Sequence, residues 1–148
     1  DRPRTIVVEP ERADCIARSL SAGKPTPVMG NVDTFMACLA AAEISPLAWK
    51  ILHRVIDDSL VISDDHAIKA MKILANGVGT DPPIVSGESG CAAVAGLIAS
   101  SNDNDIRRDL GLDTESSILV IGSEGATDPE IFSNVVGKTP QEVTSNSN

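Results

Sequence analysis

Four branched apolar residues in succession, Ile118-Leu119-Val120-Ile121, run straight into the glycine-flanked turn Gly122-Ser123-Glu124-Gly125. An apolar run without alternation is what a strand covered on both faces requires, and such strands belong to parallel sheets with helices on either side. A similar run, Thr5 to Val8 (TIVV), stands near the start, and Leu60 to Ile62 offers a third. Between these runs the period is helical. Pro10 opens a helix in which Ala13, Ile16, Ala17 and Leu20 recur at i, i+3, i+4 and i+7, and Gly23 stops it. Ser45-Pro46 begins another, with Leu47, Ile51 and Val55 as its core stripe, and Ser63 caps one with the stripe Ala67, Ala70, Met71 and Leu74. Asp33 to Ala42 (DTFMACLAAA) is apolar almost all round and predicts a helix buried on most sides. Cys91 to Ala99 predicts a small-residue helix, and Ser101 to Asp109 a polar surface stretch. Strands alternating with helices predict an α/β fold, a mostly parallel sheet flanked by helices.

A length of 148 residues suits one ordinary domain, and neither a linker nor an internal repeat divides it. Hydrophobic residues make up 42%, enough for a core. Lys and Arg number 12 against 21 Asp and Glu, a net charge of -9, and aromatics are 2%. That balance excludes nucleic acid as an expected partner, since phosphate binding needs clustered cations and base stacking needs rings. No apolar run approaches the roughly 18 residues of a membrane span. Cys15, Cys38 and Cys91 lack the spacing of a disulfide framework or metal site and are expected as buried thiols in a reducing cytoplasm. The chain starts at Asp1 with a strand-like run almost at once, and is expected to be an internal piece of something longer. Residues 137–148 are polar and Ser/Asn-rich and are expected to fray as a tail beyond 1–136.

In open α/β sheets, ligands bind beyond the carboxyl ends of the strands. Two glycine-flanked turns have that form: Gly87-Glu88-Ser89-Gly90, ahead of a helix, and Gly122 to Asp128 (GSEGATD), ahead of Pro129. Free amides at a helix start attract anionic groups, and glycine lets a backbone approach a flat ligand. From form alone they are equally readable as tight, capped turns. Sharper motifs fail. Cys91 stands where a nucleophile elbow needs its last glycine, and Phe132 where a phosphate loop ending in Gly137-Lys138-Thr139 needs its first. His53 and His66 fall in amphipathic helices, Gly77-Val78-Gly79 is a lone GxG, and Asp57-Asp58 and Asp64-Asp65 read as solvated helix-end charges.

The stretches VVEPERADCIARS, DTFMACLAAAEISPLAWKIL, DPPIVSGESG and LVIGSEGATDP, in order between Ile6 and about Phe132, resemble the diaminopropionate ammonia-lyases. These are pyridoxal-phosphate enzymes of the tryptophan-synthase-β fold type, fold type II. The resemblance implies that Ser123, where members often carry threonine, is the hydroxyl partner of the pyridine nitrogen. A hydroxyl there leaves the ring nearer neutral and makes a milder electron sink, suited to β-elimination. Glu88 is implied to flank the ring or substrate, with Gly87, Ser89, Gly122 and Gly125 shaping the pocket. Thr127 and Asp128 are weaker candidates, and Asp128 is also placed to cap the helix that starts at Pro129. The implied reaction eliminates ammonia from 2,3-diaminopropionate to give pyruvate and a second ammonia. None of Lys24, Lys50, Lys69, Lys72 and Lys138 stands in the family's Schiff-base motif, and no glycine cluster could cradle the phosphate. The expectation is therefore a C-terminal portion holding one wall of the site, inactive alone, with exposed apolar surface, and homodimeric as the complete protein. Two alternatives stay open: a related enzyme of the threonine/serine dehydratase or threonine synthase type, and a non-catalytic α/β binding module.

Overall fold

The computed structural model describes residues 2–145. The chain divides into two compact units at Asp64 and Asp65, the start of a helix, where no linker composition marks a boundary. Among the described residues no helix is long and apolar enough to cross a membrane.

In the first unit, β1 (Ile6–Pro10) and β2 (Asp58–Ile62) pair in parallel, with Ile6 opposite Asp58, Val8 opposite Leu60 and Pro10 opposite Ile62. Pro10 ends the strand instead of opening a helix, and α1 (Cys15–Ala22) starts five residues later. Its first turn is capped by a residue of β1 and not by a neighbour. The Glu9 carboxylate accepts the N–H groups of Ile16 at 2.8 Å and Ala17 at 2.7 Å. Burial pushes the Glu9 carboxyl above its ordinary range, against the two amides, which pull it down. Gly23, at φ 67°, closes the helix in the left-handed conformation, as its sequence position predicts.

The helix α2 (Pro46–Val55) has the predicted cap: the Ser45 hydroxyl accepts from the Ala48 N–H. Its core face is rotated from the predicted one. Leu47 is 70% and Ile51 59% exposed, whereas Ala48, Trp49 and Leu52 pack against Cys15, Val28 and Ile44. The predicted buried helix over Asp33 to Ala42 is also corrected. Only a single 3-10 turn, Ala37–Leu39, forms there. Asp64 takes the Thr34 hydroxyl at 2.5 Å and the Phe35 N–H at 3.0 Å, and the Val28 N–H reaches the Ala42 carbonyl at 2.7 Å. A helix apolar all round needs cover all round, and this unit covers Thr34 and Met36 but leaves Ala37, Cys38 and Ala40 to Ala42 exposed. Cys38 is thus not the buried thiol expected, while Cys15 and Cys91 are buried. Nor are the acidic pairs merely solvated. Asp57 holds both Arg2 terminal nitrogens, at 2.6 and 2.8 Å, and the Thr5 N–H at 2.8 Å, and Asp58 holds Arg4.

The second unit contains helices and loops: α3 (Asp64–Asn76), α4 (Ala92–Asn102), α5 (Asn104–Leu110), α6 (Pro129–Val136) and α7 (Pro140–Ser145). The α3 stripe buries Ala67, Ala70 and Met71 as the period predicts, with Ala75 in place of Leu74 as the fourth fully buried residue. The polar stretch after Ser101 is helical, with Asp103 accepting the Asp105 and Ile106 N–H groups at the start of α5. The tail expected to fray from Gly137 forms α7, anchored by a fully buried Val143, and residues 146–148 lie outside the described part.

The main correction concerns Ile118 to Ile121. These residues form no strand, Leu119 is 87% and Ile121 76% exposed, and their backbone makes no hydrogen bond to a described residue. A strand exists only as one side of a ladder, and every regular element of this unit is a helix, which offers free backbone groups at its ends but no row of them along an edge.

Candidate functional site

Ser86 to Cys91 is a buried turn that feeds α4, with the Cys91 N–H on the Gly87 carbonyl at 3.1 Å and the Ala92 N–H on the Ser89 carbonyl at 3.2 Å. The Cys91 thiol fastens it to α3, donating to the Ala67 carbonyl at 3.3 Å and also lying 3.4 Å from the Glu88 carbonyl. Burial pushes that thiol up to about 12, so it stays protonated and serves as a structural donor.

The second turn lies directly on the first. The Glu124 carbonyl accepts the Gly87 N–H at 3.3 Å, and one Glu124 carboxylate oxygen, Oε2, accepts the N–H groups of both Ser89 (2.8 Å) and Gly90 (2.7 Å). The approach is backbone on backbone. A Cβ on Gly87 would stand 2.3 Å from the Gly125 carbonyl oxygen, and one on Gly90 2.4 Å from the Glu124 carbonyl oxygen. Those two glycines are required by proximity, as a side chain at either would force the turns apart. Gly125 has open space, and a Cβ on Gly122 would make only ordinary contact with Gly90.

The structure thus brings together Gly87, Glu88, Ser89, Gly122, Ser123 and Gly125. Ser123 is exposed, and its hydroxyl is bonded to no described residue. Glu88 is 5% exposed, and its carboxylate oxygen Oε2 is buried without a hydrogen-bond partner. An unpaired buried carboxylate oxygen is costly and marks a place where a donor belongs. Thr127 and Asp128 do local work. The Thr127 N–H closes onto the Gly125 carbonyl at 2.8 Å, and the Asp128 carboxylate caps α6, accepting from Glu130 at 3.0 Å and Ile131 at 2.9 Å. The amides of the first turn do bind an anion, as their position at a helix start predicts, but the anion is the chain's own Glu124. Nothing in the sequence around Glu124 marks it for this part. Its partners lie 34 and 35 residues away, and the available signal was an acid inside one of two glycine turns. Lys50, Lys69 and Lys72 lie on exposed helix faces. No group of three or more His, Cys, Asp or Glu among the described residues could hold a metal ion.

Residues 1–123 match the family of pyridoxal-phosphate dependent enzymes, and the chain belongs to that family. Within it, the chain is 38% identical over 136 residues to the diaminopropionate ammonia-lyase of Escherichia coli K12, covering 89% of this chain and 34% of the relative. The solved holo structure of diaminopropionate ammonia lyase from Escherichia coli superposes with a TM-score of 0.81 at 36% identity, over 90% of this chain and 33% of that one. The structure of that enzyme in complex with an aminoacrylate-PLP azomethine reaction intermediate gives 0.79 at 36% identity, over 88% and 33%. The fold-type-II architecture expected from the sequence is confirmed, and the chain spans about a third of the length of these relatives.

Proposed function

We propose that this chain forms one wall of the cofactor site in a pyridoxal-phosphate lyase that eliminates ammonia from 2,3-diaminopropionate and, with uptake of one water, gives pyruvate and a second ammonia. The observation that carries this reading is the identity to diaminopropionate ammonia-lyase across a span that includes both glycine turns. Two features of the turns suit such a ring: an exposed hydroxyl without a partner at Ser123, and an orphaned buried carboxylate oxygen at Glu88. Ser123 would meet the ring nitrogen. Glu88 would stand against the ring or substrate, with Gly87, Ser89, Gly122 and Gly125 giving the close approach, while Thr127 and Asp128 would support the turn from outside it. When bound, pyridoxal phosphate supplies an electron sink for the carbanion left after proton loss. A neutral hydroxyl at the ring nitrogen orients the ring without adding charge to it. The complete protein is read as a cytoplasmic homodimer acting on a small amino acid, and the 148-residue chain as inactive alone.

The test is made on the complete protein with pyridoxal phosphate. Pyruvate release from diaminopropionate, and none from the 148-residue chain, is the expected result. Turnover of threonine or serine in its place would assign the related dehydratase chemistry. A protein that neither acquires a visible cofactor band nor gains melting temperature with pyridoxal phosphate would be a binding module of this fold without the cofactor.

A further inference from the structure

We propose that Glu124 is a positioning residue for the Ser123 hydroxyl, a role that rests on the reading of Ser123 as the ring-nitrogen partner. Ser123 stands between two largely exposed segments. Before it, residues 118–121 make no backbone hydrogen bond to a described residue, and after it Gly125 faces open space at its Cα. Glu124 is the fixed point between them. Its carboxylate oxygen takes two amides of the buried turn and its carbonyl takes a third.

The chemistry suits the task. Two N–H groups converging on one oxygen call for a strong acceptor, and hydrogen bonds to a carboxylate are shorter and stronger than neutral ones. The receiving turn is buried from Ser86 to Cys91 and bonded to α3 through the Cys91 thiol. The adjoining hydroxyl therefore takes its position from the buried, hydrogen-bonded part of the site. A group that must meet one ring atom needs placement within about 0.5 Å, and supporting residues supply it.

Three variants test this: Glu124→Ala, Glu124→Gln and Ser123→Ala. In the 148-residue chain, amide exchange at Ser89 and Gly90 is expected to quicken about tenfold or more in Glu124→Ala. In Glu124→Gln, whose side-chain oxygen still accepts but without the charge, it should lie between wild type and Glu124→Ala. In the complete protein carrying pyridoxal phosphate, Ser123→Ala should shift the visible band of the cofactor. Glu124→Ala should shift it in the same direction, and Glu124→Gln should shift it less. Unchanged exchange in Glu124→Ala would overturn the tie itself. Faster exchange with an unmoved band, where Ser123→Ala does move it, would overturn the positioning role and leave a purely structural one. A band indifferent to Ser123→Ala would overturn the assignment of Ser123 instead, whatever exchange reports.

Discussion

Residues 6–10 and residues 118–121 are both short runs rich in branched apolar side chains, yet the first lies in a parallel ladder and the second faces solvent with no backbone partner. The difference is in their neighbours. Around β1 the unit offers β2 as a ladder, the Asp57 and Asp58 carboxylates for Arg2 and Arg4, and the start of α1 for Glu9. Around Ile118 to Ile121 the unit offers helices, which present no strand edge to pair with. Branched side chains make an extended conformation easy, but only a second edge makes it a strand.

The contrast can be broken most directly at Ile62, which is 3% exposed opposite Pro10. Ile62→Asp places a lone carboxylate in the core of the paired region. It is expected to cost more than about 3 kcal/mol, enough to unfold that unit, as thermal melting by circular dichroism would show. A smaller effect is expected from acid. Arg2 and the Thr5 amide hold the Asp57 carboxyl at about 2, below its ordinary 3.8. Because the folded value is the lower one, the stabilisation is present above about pH 4 and is lost as pH falls through 2. Melting temperature should therefore drop across that window, and Asp57→Asn should remove this part of the slope. The smallest effect belongs to the unpaired run. Leu119→Asp should change stability by no more than about 0.5 kcal/mol while raising solubility, because an exposed apolar extended segment invites association. A loss comparable with that of Ile62→Asp would mean that residues 118–121 are buried in solution, and the contrast would fall.

What was legible in the sequence was whatever depends on near neighbours. Ser45 ahead of Pro46, Gly23 after α1 and the Ala67, Ala70 and Met71 stripe are local signals, and each sits where its period and chemistry put it. What was not legible depends on partners far along the chain. The apolar stretch from Asp33 fails as a helix because its unit leaves Ala37, Cys38 and Ala40 to Ala42 uncovered, while Asp64, far along the chain, holds its first residues. Leu47 and Ile51 look like a core stripe, but α2 is turned to pack Trp49 and Leu52 against the core instead. The candidate site divides in the same way. The two glycine turns and Ser123 could be read from their spacing and resemblance, whereas the Glu124 tie that joins the turns appears only when both are seen together.

Trp49 leans on the core of the first unit with its ring centroid 5.2 Å from that of His53, and the chain has one tryptophan and no tyrosine. Fluorescence excited in the indole band thus has a single source, seated in one unit. It watches the unfolding of the β1–β2 half by itself, while the turns bearing Glu88, Ser123 and Glu124 stay dark until a chromophore is bound against them.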